Sequence, residues 1–233
     1  MHADTALDWM RAHVRTLFVL DPDGRITTVN EPGGAAGPRF FFGRTAEGWE
    51  AWFRDDVPPE TIERLRAACA EAGSIAPSVP LPDVTSFERI LARDAPVERI
   101  WSGPAYRFPD EPGEAAEIVL LHEGDEHVLA ELFPDWLEDV TACQPFAAMI
   151  REGRAVSLCA TVRRTDAAAQ AGVETHPAHR GQGLAGRAVI AWAHAVRAGG
   201  RAPLYSTSWE NEASLKVAAK LGLIRFGSDL HIT

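Results

Sequence analysis

The sequence predicts an α+β protein in which strands and helices follow one another in no strict alternation. Three observations carry that expectation. Short runs rich in β-branched and aromatic residues recur between Gly, Pro and Asp turn signals, and helix-spaced apolar faces occur in only a few segments. A glycine-rich turn at 181–186 then opens a strongly apolar helix near the C-terminus. At 233 residues, 46% of them hydrophobic and 24% charged, the chain can bury a core as one large domain or two small ones.

The elements follow in order. Asp4 is placed to cap a helix whose Leu7, Met10 and Val14 share one face. Leu17–Leu20 and Arg25–Val29 flank Asp21-Pro-Asp-Gly24, a turn signal that predicts a β-hairpin. A Gly/Pro loop at 32–38 leads into Arg39-Phe-Phe-Phe-Gly43, read as a buried strand. Pro58-Pro59 opens a helix through Ile62, Leu65 and Cys69, and 73–83, with its three prolines, reads as a connector. A second Pro/Gly-rich stretch, 102–113, surrounds a short strand at 106–108. Then come a strand at 118–122, a helix over 126–140, and strands at 145–150, 156–163 and 170–176. The helix at 184–198 places Leu184, Ala188, Trp192 and Ala195 on one stripe with Ala185, Val189, Ala193 and Val196 beside it. Gly199-Gly200 stops it. A strand at 204–209, a helix at 211–221 stopped by Gly222, and a closing strand at 223–233 complete the chain.

Composition excludes several classes. The net charge of −10 argues against nucleic-acid binding, and no run approaches the ~20 apolar residues that span a bilayer. The N-terminus carries acids where a signal peptide needs a basic end, and the three cysteines (Cys69, Cys143, Cys159) are widely spaced. A cytoplasmic protein with reduced thiols is expected. His176 and His179 straddle a proline with no third ligand nearby, so no metal site is expected.

Charge is unevenly distributed. Residues 1–176 carry a net −14 and residues 177–233 a net +4, with no acid between Glu174 and Glu210. The acid-free stretch surrounds Arg180-Gly-Gln-Gly-Leu-Ala185. Two glycines ahead of a helix leave backbone N–H groups open to phosphate oxygens, and the helix dipole adds positive potential there. A polyanionic ligand is expected.

Two owners of such a loop are distinguishable. Gly181, Gly183 and Gly186 formally satisfy the G-x-G-x-x-G dinucleotide fingerprint, with Glu210 as a ribose contact. Against that, only 23 residues follow Glu210, and Pro177–Arg180 intervenes between strand and glycines. The whole segment instead resembles the GCN5-related N-acetyltransferase (GNAT) family. Arg180 to Ala185 is similar to its R/Q-x-x-G-x-G/A pyrophosphate loop, and Asn211-Glu-Ala-Ser214 with Lys220-Leu-Gly-Leu223 to its following helix. The resemblance covers about 170–233, and the element order from about 103 agrees with it.

The resemblance implies a mixed, mostly antiparallel sheet flanked by helices, over 103–233, with an additional N-terminal α/β region at 1–102. It implies acetyl-CoA as co-substrate, held at a splay between the strand ending at His176 and the strand at 204–209. The expected co-substrate residues are Val173, Glu174 and Thr175 along the pantetheine arm, Arg180, Gly181, Gln182, Gly183, Leu184 and Ala185 at the pyrophosphate, and Asn211 and Ser214 at the arm. Arg187, Arg197 and Arg201 are read as solvated charges of the helix face.

By the same resemblance the acyl group passes directly to an amine of a small molecule or peptide, with backbone N–H groups at a strand bulge stabilising the oxyanion. The family's tyrosine acid falls at Ala218, a departure that leaves a CoA-binding protein without transferase activity as the second reading. Tyr205 and Ser214 are the candidate replacements. Alternation puts Glu174 and His176 on one strand face, with Glu174 the preferred base. The acidic N-terminal region is open between acceptor specificity, a homodimer interface and a second lobe resembling half an acetyltransferase.

Overall fold

The computed structural model describes residues 5–114 and 116–233. It is α+β and resolves into two compact units. One unit comprises Arg107–Tyr205 and Ala213–Ile224. The other takes the N-terminal residues through Tyr106 together with Ser206–Glu212 and Arg225–Thr233.

In the second unit, α1 (Ala6–Leu17) precedes the hairpin of β1 (Phe18–Leu20) and β2 (Ile26–Val29). Asp4, the expected cap of α1, lies outside the described residues; Thr5 is the cap, accepting from Asp8 N–H at 3.1 Å. The aromatic run forms β3 (Phe40–Thr45), which pairs antiparallel with β4 (Gly48–Phe53) on one edge. On its other edge it pairs with β11 (Ile224–Ile232), beyond which lies β5 (Ile100–Arg107). The helices α2 (Pro59–Ala72) and α3 (Thr85–Leu91) close a core of Phe40, Phe42, Phe53, Leu65, Phe87 and Leu230. Burying such side chains contributes roughly 1.5–3 kcal/mol each.

Two buried arginines belong to this segment, Arg39 just ahead of β3 and Arg44 within it. Arg39 is 6% exposed and donates to Leu91 O at 3.1 Å, Ala95 O at 3.1 Å and Pro96 O at 2.9 Å, satisfying carbonyls at the end of α3. Arg44, 3% exposed, does the same for Ile75 O, Val79 O and Ser228 Oγ, and burial pulls its pKa down to about 10. Neither β4 nor α3 carries a pattern clear enough to be anticipated. The 102–113 stretch differs as well: Ser102 to Arg107 is the body of β5, not a connector around a short strand.

The first unit is a five-stranded sheet in the order β10-β9-β8-β7-β6. Its strands are β6 (Ile118–Leu121), β7 (Phe146–Arg151), β8 (Arg154–Arg164), β9 (Ala168–Thr175) and β10 (Ala202–Ser206). All neighbours are antiparallel except β9 and β10, which are parallel. The helix α5 (Leu184–Ala198) packs on β7, β8 and β9. Trp192 is its largest anchor, with no exposure and its Nε1–H donating to Thr161 Oγ1 at 3.0 Å.

The opposite face is covered by 126–142. The expected helix there is instead two 3-10 turns, Glu126–Val128 and Pro134–Trp136, followed by the short α4 (Asp139–Ala142). Pro134 is the reason: it has no N–H to donate, and it holds Phe133 out of the helical region at φ −140°. Helical spacing still buries Leu129, Phe133 and Val140.

Candidate functional site

The parallel ladder of β9 and β10 is short. It runs Ala202↔Ala168, Pro203↔Ala169 and Leu204↔Gln170, and no further rung joins these strands among the described residues. From Ala171 onward β9 keeps its partner β8 on one edge and loses β10 on the other. This is the splay. His176 N–H donates to Val156 O of β8 at 3.1 Å, so alternation turns the Glu174 backbone toward β8 as well. The N–H and C=O groups of Val173 and the N–H of Thr175 are left on the open edge, while Thr175 O accepts from Arg180 Nε–H. Of the three residues expected to line an amide-rich arm, two offer their backbone; Glu174 offers only its side chain.

The strand ends in a single 3-10 turn at Pro177–His179, and Arg180 follows in extended conformation. Gly181 and Gly183 then adopt φ of +79° and +75°, the left-handed region that side chains avoid. A Cβ at either position would meet nothing within 4 Å, so no protein packing calls for glycine there. No side chain caps α5, whose first N–H groups lie beside this exposed loop. Gly186, the third glycine of the formal dinucleotide fingerprint, lies within α5 without a positive φ, and a Cβ there would make an ordinary 3.4 Å contact with Leu221 Cδ2.

The side chains of the loop divide into anchors and free groups. Leu184 is 2% exposed against Met149 and Val156, so only its backbone is available to a ligand. Arg180 spends its Nε–H on Thr175 O at 3.1 Å, and its terminal nitrogens carry no acidic partner among the described residues. Arg151, at the end of β7, donates to Gln182 Oε1 at 2.7 Å and likewise has no carboxylate partner among the described residues. Sequence reading missed Arg151. Its place is set by the β7–β8 hairpin, which returns at the same end of the sheet where β9 gives way to the loop.

Of the arginines read as solvated charges of the helix face, Arg187 is exposed as expected, whereas Arg197 and, beyond the end of α5, Arg201 are half-buried. Arg187 pairs with Glu117 at 2.7 Å, Arg197 donates to the carbonyls of Phe108, Pro109 and Asp110, and Arg201 Nε–H donates to Thr165 O at 3.0 Å. Arg197 and Arg201 tie the helix to neighbouring chain.

Glu174 and His176 do share a face. The exposed Glu174 accepts from Trp136 Nε1–H at 2.8 Å, and the His176 ring meets Phe133 edge-on at 6.5 Å. Both partners come from the 126–142 segment. Thr175, on the opposite face, shares a 2.7 Å hydrogen bond with the buried Ser157 hydroxyl. The bulges lie on β8, at Val156 and Val162, and not on β9, whose Ala171–Thr175 stretch pairs without interruption. The expected bulge donors therefore do not come from the strand that lines the gap.

Tyr205 stands one residue past the last rung of the parallel ladder, 3% exposed, with its hydroxyl 2.6 Å from Ser214 Oγ. Ser214 lies on α6 (Glu212–Lys220), one turn ahead of Ala218, which is 1% exposed. Asn211 precedes α6 directly and belongs to the second unit, where its N–H donates to Ser208 O. No group of three or more His, Cys, Asp or Glu side chains arranged to hold a metal ion occurs among the described residues.

Residues 146–227 match the GNAT acetyltransferase family. They begin with β7 and run through the splay, the glycine loop, α5 and α6. This segment is similar to GNAT acetyltransferases. Its fold is shared by two solved structures of low identity. One is a GNAT-family protein from Novosphingobium aromaticivorans, 21% identical, with a TM-score of 0.50 over 58% of this chain and 65% of that one. The chain thus spans less than two thirds of that relative's length. The other is a GCN5-related N-acetyltransferase from Sphaerobacter thermophilus, 16% identical, with a TM-score of 0.50 over 92% of this chain and 78% of that one. No curated protein matches the sequence.

Proposed function

We propose that the protein transfers the acetyl group of acetyl-CoA directly to an amine of a small molecule or peptide, with 103–233 as the acyltransferase domain. The observation that carries this reading is the pairing of the β9/β10 splay with a loop of open amides. Both are features of one compact unit, and a Cβ at Gly181 or Gly183 of the loop would meet no atom within 4 Å. The residues fit the co-substrate. The amides of 181–185 and the free end of Arg180 suit a pyrophosphate, Arg151 suits a further phosphate, and the open edge at Val173 and Thr175 suits an amide-rich arm. When bound, acetyl-CoA supplies an acyl group activated as a thioester.

The chain's own residues do the rest. Glu174, on the strand that borders the gap, accepts the proton that the amine loses on attack. The hydroxyl pair of Tyr205 and Ser214 stands where the two strands separate and can return a proton to the leaving sulfur. A thiol's pKa of about 8.5 makes that acid helpful without being obligatory. We place the protein in the cytoplasm, a reading supported by three cysteines that form no disulfide among the described residues.

Titration calorimetry with acetyl-CoA, followed by thiol release across a panel of amines, tests the proposal. Binding with amine-dependent thiol release supports it; absence of binding overturns it. Binding without amine-dependent release would favour a CoA-binding protein of the same fold, the reading that buried Ala218 supports. Glu174→Gln is expected to lower kcat at least tenfold while changing acetyl-CoA affinity less than twofold, since its backbone faces β8.

A further inference from the structure

We propose that Trp136 is a positioning residue, whose indole N–H holds the Glu174 carboxylate in the orientation needed of a base. The inference rests on the reading of Glu174 as that base. Indole nitrogen donates and never accepts, so the 2.8 Å contact fixes Glu174 Oε2 as the acceptor. It also uses one oxygen only. Oε1 keeps no partner among the described residues and is left for the amine proton. That proton moves from the attacking nitrogen to Oε1 as the C–N bond forms, and Glu174 then yields it to solvent; none passes through the indole.

The fold gives Trp136 this reach at a specific place. Pro134 turns the chain at 134–136 so that the Trp136 ring stands edge-to-face on Phe146, with centroids 5.8 Å apart and planes at 88°. The ring lies over Gly172, where an added Cβ would be 3.2 Å from Trp136 Cη2 and 2.2 Å from Val162 Cγ1. Gly172 and Glu174 are two residues apart on one strand and therefore share a face. The missing side chain at 172 makes the shelf, and the indole N–H extends from it to 174. His176 is the other titratable group on this strand face, and it is turned to Phe133.

Trp136→Phe keeps an aromatic ring on Phe146 and removes the N–H. The expected result is about a tenfold loss of kcat, the order expected of a misaimed catalytic group. The KM for acetyl-CoA stays within twofold. In a Glu174→Gln background the same change has no further effect on rate. Independently of any acceptor, the Trp136 indole N–H proton resonance is expected to move in Glu174→Gln, where a neutral amide replaces the carboxylate it contacts. An unchanged kcat, a loss expressed in KM alone, an unmoved indole resonance, or an equal loss in the Glu174→Gln background would overturn the proposal. Wild-type rates in Glu174→Gln alone would instead remove Glu174 as base, and the role of Trp136 with it.

Discussion

Replacing Gly183 by aspartate is expected to abolish acetyl-CoA binding, with affinity falling more than a hundredfold, while the fold survives. Gly183 sits at φ +75° directly ahead of α5, and a Cβ there meets no protein atom within 4 Å. The structural penalty is therefore limited to the left-handed backbone, about 1–2 kcal/mol and at the low end for Asp, which visits that region more readily than most residues. The effect on the ligand is of another order. A carboxylate would stand over the amides that a pyrophosphate needs, and two like charges about 4 Å apart near a surface repel by about 4 kcal/mol. Calorimetric titration with acetyl-CoA and a thermal melt decide the outcome together. Undiminished affinity in a folded variant would put the phosphate site elsewhere; a collapsed melting temperature would show that the glycine serves folding.

The second large effect is expected at Gly103. Alanine there should destabilise the protein by about 2–4 kcal/mol, which for a chain of this size lowers Tm by roughly 4–16 °C. Its Cβ would lie 1.8 Å from Thr207 O, 2.7 Å from Thr207 C and 3.0 Å from Ser208 Cα. All three neighbours are backbone, so no rotamer change relieves the clash. The approach is close because 207–209 runs beside β5, with Thr207 N–H donating to Pro104 O at 3.4 Å and Trp209 N–H to Ser102 O at 3.2 Å. Differential scanning calorimetry reads the shift. A change of Tm under about 2 °C would mean that these segments separate more easily than their hydrogen bonds suggest.

These two glycines illustrate what a sequence makes legible. Gly181 and Gly183 stand in a pattern whose meaning is local: a strand, a proline, an arginine, two glycines and an apolar helix. Gly103, beside Pro104, reads as a connector because its partner is Thr207, over a hundred residues away. The same distinction separates the helices. The stripe of Leu184, Ala188 and Trp192 repeats at helical spacing, and those side chains are buried on β7, β8 and β9. Leu129, Phe133 and Val140 also repeat at helical spacing and are buried, yet Pro134 divides them into separate turns. Periodicity identified the buried side there and the wrong backbone.

The candidate site divides likewise. Its phosphate loop is written in residues 180–186, because positive φ, an uncapped helix start and an absence of acids are properties of contiguous chain. That is what the sequence by itself determined: the α+β class, the loop and the family it resembles. Tertiary structure decided which groups surround it. The 38-residue separation of Trp136 from Glu174, the hairpin that brings Arg151 to Gln182, and the ladder that ends at Leu204↔Gln170 depend on strand pairing and on a turn forced by Pro134. Such contacts form only once distant segments are packed, so their geometry is set by the sheet rather than by neighbouring residues.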